Sequence, residues 1–225
     1  MEKQTKNYYK TKNYYNRRIL ISIENDNINL ISEAYHMLTK FIETEQEVKE
    51  IFKNWNENSE IAMISEEALS RAVLIFNNAR LVPLESLKGP RPFLKVQNIE
   101  KYVNSIEKAL YASFIVSYAR GYERLAKQNQ GEILSIQSID RASCPSLLNQ
   151  IKKIYETDYK SDYNVYDNEN KNEQNLLLTP IFAKITEEAQ AGWRSICSTA
   201  IFLGVPVPKF LETLSYYDSL RTGRL

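Results

Sequence analysis

The N-terminus carries the chain's clearest chemical pattern, because K-N-Y-Y at residues 6–9 recurs at residues 12–15. Six lysines and arginines between residues 1 and 18 are accompanied by a single acidic residue, Glu2. Cations bind phosphates and tyrosine rings stack on bases, so such an arm has the chemistry to grip single-stranded RNA. Short basic segments are more often solvated or docked on a protein, and we prefer that interpretation. Nucleic-acid binding is therefore expected, if at all, only through this arm.

Side chains that bind metals or nucleotides are sparse and poorly spaced. Cys144 and Cys197 lack metal-ligand spacing and are expected to be buried thiols in a reducing compartment. His36 is the single histidine, and with no second ligand placed beside it we expect a packed side chain. A pyrophosphate-binding turn needs closely spaced glycines, whereas the nearest pair here, Gly121 and Gly131, is ten positions apart. The sequence thus predicts no metal and no cofactor.

Length and composition bound the class of protein. A chain of 225 residues forms one core that buries roughly 70 % of its unfolded surface. A net charge of +1 gives no bulk electrostatic reason to bind nucleic acid. No apolar run approaches the roughly 20 residues that cross a bilayer, and residues 1–18 lack the apolar centre of a secretory signal. We therefore expect a soluble, intracellular protein, with its compartment left open.

Hydrophobic periodicity predicts an all-α fold, since apolar residues step by three and four and no segment alternates with period two. A helix is expected along Ile28, Ile31, Tyr35, Leu38 and Ile42, followed by a helix that begins with a capping box of Thr44 and Glu47. Others are expected at 68–76 and 147–155, and the longest, at about 99–127, should form a central spine. Residues 159–174 are too polar to pack and are expected to form a surface loop. The predicted organisation is a basic tyrosine-rich arm at 1–18 and a helical domain at 19–225.

The last third of the chain predicts helix, break and helix. Thr179 and Pro180 suit the cap and first position of a helix that Gly204 ends, and Pro206 and Pro208 prevent its continuation. The expected buried face of the first helix comprises Ile181, Ile185, Ala189, Trp193, Ile196, Ala200 and Leu203.

Four collinear segments of the sequence resemble the C-terminal all-helical domain of 6-phosphogluconate dehydrogenase. They read N-L-I-S-E-A-Y-H at 29–36, L-K-G-P at 87–90, K-A-L-Y-A-S followed by S-Y-A within 108–119, and W-R-S, G-V-P-V-P and L-S-Y-Y-D-S-L-R between 193 and 221. The resemblance implies the same helical fold and a dimer. None of these segments is a catalytic motif.

Members of that family oxidise 6-phosphogluconate with NADP and then release carbon dioxide, which takes a dinucleotide site, a lysine base, a glutamate acid and a cationic phosphate clamp. The resemblance, extended back without a gap from residues 30–33, places Glu24 at the acid and Arg17 at the lysine base. It also places Arg71 at a phosphate-binding arginine, while the family's G-T-G-K-W-T segment is missing between Trp55 and Ile61. A guanidinium with a pKa above about 12 does not accept a proton near neutrality, so the base is expected to be lost.

Packing segments are thus retained while residues for proton and phosphate chemistry are substituted or missing. We therefore predict a non-catalytic relative of this domain, a structural or interaction subunit of a dimer or larger assembly. A lone Glu24 and a lone Arg71 on helices are more often surface or ion-paired residues than catalytic ones. The alternative is the helical half of an NADP-dependent enzyme of the pentose phosphate pathway, with Glu24 and Arg71 in its site and a nucleotide-binding chain supplied in trans.

Overall fold

The computed structural model describes residues 2–58, 64–78, 87–90, 98–128, 143–157 and 175–223, with the backbone alone described at 2–16, 58, 125–128 and 155–157. Helices account for most of these residues: α1 Glu2–Leu38, α2 Glu45–Asn58, α3 Glu66–Asn78, α4 Ile99–Gln128, α5 Pro145–Thr157, α6 Pro180–Leu203 and α7 Pro208–Thr222, with a 3-10 turn at Leu176–Leu178. No strand occurs in these ranges. The all-α prediction is confirmed.

Helix α4 is the centre of the fold, as the sequence predicted. Its 30 residues span about 45 Å, and every residue from 109 to 119 is buried. A helix that is buried all round needs neighbours on every side, and α1, α6 and α7 all pack against α4. Small residues permit this close packing, since a Cβ at Gly121 would stand 2.2 Å from Cδ1 of Ile23 on α1.

Helix α1 is longer than the helix that the hydrophobic stripe predicted. Ile28, Ile31, Tyr35 and Leu38 are buried as predicted, but the helix ends at Leu38, so Ile42 lies beyond it and is half-buried. At the other end the helical backbone begins at Glu2 and includes residues 2–18. The division between an arm and a domain at residue 18 stays a prediction, and it coincides with no break in this helix.

The start of α2 matches the capping box that the sequence predicted. The Thr44 hydroxyl oxygen accepts a bond from the Glu47 N–H at 3.2 Å, and a Glu47 carboxylate oxygen accepts one from the Thr44 N–H at 3.2 Å. The helix buries Val48, Phe52 and Trp55. This local sequence signal fixes where the chain turns after α1.

Gly204 ends α6 as expected. It adopts a left-handed φ of 68°, and its neighbour Val205 donates an N–H bond to the Ala200 carbonyl at 2.8 Å. Thr179 occupies the cap position of α6, but its hydroxyl donates to the Leu176 carbonyl rather than capping the helix. The α6–α7 break is therefore fixed mainly by glycine and proline.

The predicted buried face of α6 was wrong at its first turn. Ile181 is 50 % exposed, whereas Phe182 is fully buried. The buried face instead follows a helical period of three to four residues through Phe182, Thr186, Ala189 and Trp193. Phe182 therefore takes the buried position that was predicted for Ile181. The polar loop expected at 159–174 lies outside the described residues.

Candidate functional site

Glu24, the residue that the resemblance places at the family's acid, is 8 % exposed at the junction of α1, α4 and the turn before α5. One carboxylate oxygen accepts a hydrogen bond from the Tyr118 hydroxyl at 3.0 Å. The other accepts from the backbone N–H of Ser143 at 2.7 Å and from the Ser143 hydroxyl. No ion pair joins Glu24 to a lysine or arginine of the described residues. The carboxylate is thus held by three neutral donors.

The groups around Glu24 are themselves neutral. Burial raises the pKa of the Tyr118 hydroxyl well above its usual range, and burial likewise raises the pKa of the fully buried Cys144 thiol. The backbone carbonyl of Ser143 accepts from the Ser65 N–H at 3.0 Å, which ties the turn to the start of α3. The Glu24 cluster, defined as Glu24, Tyr118 and Ser143, therefore links four parts of the fold.

The two arginines that the resemblance assigns to the site are not bonded to Glu24. Arg17 on α1 and Arg71 on α3 are both exposed, and neither forms a hydrogen bond or ion pair with the Glu24 carboxylate. The structure therefore places the three predicted residues on two helices without joining them in one constellation.

His36 and the cysteines have the packed positions that the sequence indicated. The His36 ring lies 5.1 Å from the Phe76 ring, and burial, followed by nearby Lys40, lowers its pKa. Cys197 is buried, and burial raises its thiol pKa to about 12. The described residues contain no group of three or more side chains able to hold a metal ion.

Glu33 is a structural carboxylate that sequence reasoning missed. It is 9 % exposed on α1, and it accepts backbone N–H bonds from Lys209 at 2.9 and 3.1 Å and from Phe210 at 3.0 Å. These are donors of the first turn of α7, whose own cap residue, Val207, has no side-chain acceptor. Burial raises the pKa of Glu33 to about 7, although the two N–H groups and Lys209 oppose that rise. Two features of the sequence could have indicated this contact. Glu33 lies within an apolar helix face, and the start of α7 has no Ser, Thr, Asp or Asn as its cap.

A charged network continues from Glu33 across the outer face of α7. The Lys209 ammonium pairs with Asp26 of α1 at 2.7 Å and with Glu212 at 2.8 Å. Glu212 also pairs with Arg120 of α4, and these two bonds lower the pKa of Glu212, the bond from Lys209 contributing most. Each cation here is already neutralised by a carboxylate, so the network holds three helices together rather than presenting free positive charge to a phosphate.

Residues in the segments that carry the resemblance serve packing. Arg194 forms a bidentate pair with Asp218, at 2.8 and 2.6 Å, which joins α6 to α7, and the adjacent Trp193 is fully buried. The L-K-G-P segment meets the α6–α7 break, because a Cβ at Gly204 would stand 2.9 Å from the Pro90 ring. The L-K-G-P and G-V-P-V-P segments, which both carry the resemblance, are therefore in contact with each other.

The fold and the Glu24 cluster define an all-helical domain in which the buried carboxylates of Glu24 and Glu33 bind other parts of the same chain. The family model described as 6-phosphogluconate dehydrogenase, C-terminal domain, matches residues 58–225. The chain belongs to this family, as its resemblance predicted. Arg71 lies within the matched residues, whereas Glu24 and Arg17 lie before them.

Individual relatives agree with the family match. The decarboxylating 6-phosphogluconate dehydrogenase of Ceratitis capitata is 33 % identical over 170 residues, and that of Buchnera aphidicola from Schizaphis graminum is 33 % identical over 168. These alignments cover 73 % and 72 % of this chain but only 34 % and 33 % of the relatives. The chain thus matches about a third of the length of these relatives.

The fold is also that of a solved relative. Plasmodium falciparum 6-phosphogluconate dehydrogenase, determined in its apo form and with NADP+ and 6-phosphogluconate, superposes with a TM-score of 0.63. The superposition covers 94 % of this chain and 56 % of that one, at 19 % identity. Over the described part of our chain, no helix is both long and apolar enough to cross a membrane.

Proposed function

We propose that this chain is a non-catalytic member of the family, and that it acts as a structural or interaction subunit of a dimer or larger assembly. The observation that carries the proposal is that both carboxylate oxygens of Glu24 accept hydrogen bonds, one from Tyr118 and one from Ser143. A catalytic acid has to reach the reacting atoms of a substrate. A carboxylate that is 8 % exposed, with both oxygens engaged by neighbouring residues, instead supports a structural role.

The residue at the position of the family's base also argues against proton abstraction. Arg17, which the resemblance places at the family's base, is exposed, and a guanidinium offers hydrogen-bond donors but no acceptor. Glycines in these 225 residues are too far apart for a pyrophosphate-binding turn, so the hydride acceptor has no such site here. These 225 residues thus carry an arginine at the position of the family's base and no glycine pattern for a pyrophosphate-binding turn.

An interaction role is supported by apolar side chains that the fold leaves uncovered. Gly192 of α6 packs beside Ser105 of α4, and Cys197 of α6 is close enough to Tyr102 to act on its hydroxyl, so the first turns of α4 lie beside the last turns of α6. Three exposed apolar residues lie at this end of the pair, Ile99 (45 % exposed), Ile201 (61 %) and Phe202 (65 %), and Leu87 (72 %) precedes by three residues the Pro90 ring that lies beside Gly204. Grouped apolar side chains on a protein surface are commonly covered by a protein partner.

The test combines a turnover assay with a mass measurement. We expect no NADP-dependent formation of NADPH from 6-phosphogluconate by the purified chain. We also expect a sedimentation-equilibrium mass of twice 26.2 kDa or more. Turnover by the chain alone would contradict the proposal. A monomer at all concentrations would restrict it to assemblies with a different protein.

The second candidate is the helical half of a 6-phosphogluconate dehydrogenase of the pentose phosphate pathway, completed by a nucleotide-binding chain in trans. It is favoured by the names of the relatives, which are decarboxylating enzymes, and by the carboxylate kept at Glu24. Mixing the chain with a nucleotide-binding domain from a relative and following NADPH absorbance tests it. Turnover that depends on both chains and is lost in Glu24→Gln and Arg71→Ala, but not in the control Glu187→Ala, would establish this candidate in place of the first.

A further inference from the structure

A groove lies outside the Glu24 cluster, where α1 ends and α2 begins. Its apolar lining includes Phe41, Ile42 and Ile51, and three carboxylates, those of Glu43, Glu47 and Glu50, also line it. Among the described residues, the lining contains no lysine or arginine. We call this feature the α1–α2 groove.

The carboxylates of the groove are not neutralised by the lysines of α2. Lys49 pairs with Glu45 at 2.8 Å, and Lys53 pairs with Glu57 at 3.9 Å. Glu47 is held by its capping box, and Glu50 accepts an amide bond from Gln46 at 3.0 Å. The groove thus combines apolar surface with three carboxylates that form no ion pair with a described residue, and a partner that fits it carries cations and aromatic or aliphatic groups.

The chain itself contains a segment of that chemistry. Residues 1–18 carry six cations, one carboxylate and four tyrosines. Their net charge is therefore +5, opposite in sign to the groove, and tyrosine is among the residue types enriched in protein interfaces.

The arm does not reach the groove of its own chain. Helix α1 is continuous from Glu2 to Leu38, and the groove follows directly after its C-terminal end. At 1.5 Å per residue the centre of the arm lies about 40 Å from that end. The arm of a second chain is not restricted in this way.

We propose that two copies of this chain associate about a two-fold axis, with the basic arm at 1–18 of each copy docked in the α1–α2 groove of the other. The inference rests on the proposed self-association and assigns it a contact. Two identical contacts form per dimer, which is the isologous arrangement most common among homodimers. Opposite charges set the register, and the tyrosines cover the apolar lining.

Charge reversal on each side, followed by mixing, tests the contact in the full chain. The groove variant carries Glu43→Lys and Glu50→Lys and leaves the capping residue Glu47 unchanged. The arm variant carries Lys6→Glu, Lys10→Glu and Lys12→Glu. A matched control reverses two exposed carboxylates on α6, with Glu187→Lys and Glu188→Lys. Circular dichroism and the unfolding temperature establish that each variant is folded.

We expect each reversed variant alone to dimerise at least about 10-fold more weakly than the wild type by sedimentation, and the control to match the wild type. An equimolar mixture of the two variants restores a heterodimer, because the reversed arm then meets the reversed groove and the native arm meets the native groove, and the charges are opposite in both contacts. A wild-type dimer that both variants retain, or a mixture that stays monomeric, overturns the contact, and the first result leaves the proposed function intact. If the arm variant loses binding to single-stranded RNA while its dimerisation is unchanged, the proposed contact is also overturned. The arm would then be an RNA-binding segment.

Discussion

The carboxylate of Glu24 links α1 to α4 and to the turn that begins α5. Its oxygens serve as acceptors for Tyr118 and for two donors of Ser143, which are 94 and 119 residues away in sequence. Buried hydrogen-bond donors cost more free energy when their acceptor is removed than the bond itself contributes. The residue therefore has a reason to be retained that is independent of catalysis.

Removing this acceptor is expected to destabilise the fold. Glu24→Ala leaves three donors unpaired and should lower the free energy of unfolding by about 2–4 kcal/mol. Glu24→Gln keeps one carbonyl acceptor and should cost roughly half as much. Urea denaturation measures both, with Glu187→Ala on the exposed face of α6 as a control that changes stability by less than about 0.5 kcal/mol. A Glu24→Ala effect as small as the control's would mean that the cluster does not hold the fold.

Glu33 makes stability depend on pH. Its folded-state pKa of about 7 lies above the usual value of 4.5, so between these values the folded chain holds a proton that the unfolded chain releases. Its contribution to stability is complete below about pH 4.5 and is lost as pH rises through 7. The loss amounts to at most about 3 kcal/mol.

Urea titrations at pH 5, 6, 7 and 8 measure this dependence. Subtracting the curve of Glu33→Gln removes the titration of other groups. We expect the wild-type stability, relative to the variant, to fall over this range. A difference that rises with pH would show that Glu33 is stabilised as the anion by the first turn of α7.

At the scale of the helices, the sequence predicted where helices begin and end better than it predicted which distant residues contact them. Gly204 and the capping box of Thr44 and Glu47 act on residues within a few positions, so their patterns are visible in the sequence. Glu33 caps α7 from 176 residues away, and no local pattern specifies that contact. The candidate acid Glu24 was identified by alignment, but its partners could be found only after the helices were assembled.

The junction of the L-K-G-P segment with the α6–α7 break gives a prediction with an internal control. Gly204 and Gly223 both have left-handed φ values, 68° and 65°, but only Gly204 has a neighbour, Pro90, where a Cβ would be placed. Gly223→Ala should cost about 1 kcal/mol for conformation alone, and Gly204→Ala should cost about 2–3 kcal/mol because the Pro90 ring also has to move.

Thermal unfolding of the two variants measures the difference. Adding Pro90→Ala to each variant should recover part of the Gly204→Ala loss and none of the Gly223→Ala loss. Equal costs for the two glycine substitutions would mean that the contact with Pro90 does not constrain the break.

At the scale of the whole molecule, the residues that join distant helices have one structural role in common. Arg194 with Asp218, Glu33 with the start of α7, and Glu24 with the turn before α5 each connect distant parts of the chain. The sequence predicted the helices and the central position of α4, since burial follows from periodicity. It did not predict these links, because each depends on how complete helices are placed against one another.

Calorimetric titration of the full chain with 6-phosphogluconate is the most direct test of the central claim, which is that Glu24 and Arg71 serve the structure and do not bind the substrate of the family. The account predicts no saturable heat at ligand concentrations up to the millimolar range, for the wild type and for Arg71→Ala alike. Micromolar binding that is lost in Arg71→Ala and in Glu24→Gln, while both variants remain folded, would contradict it.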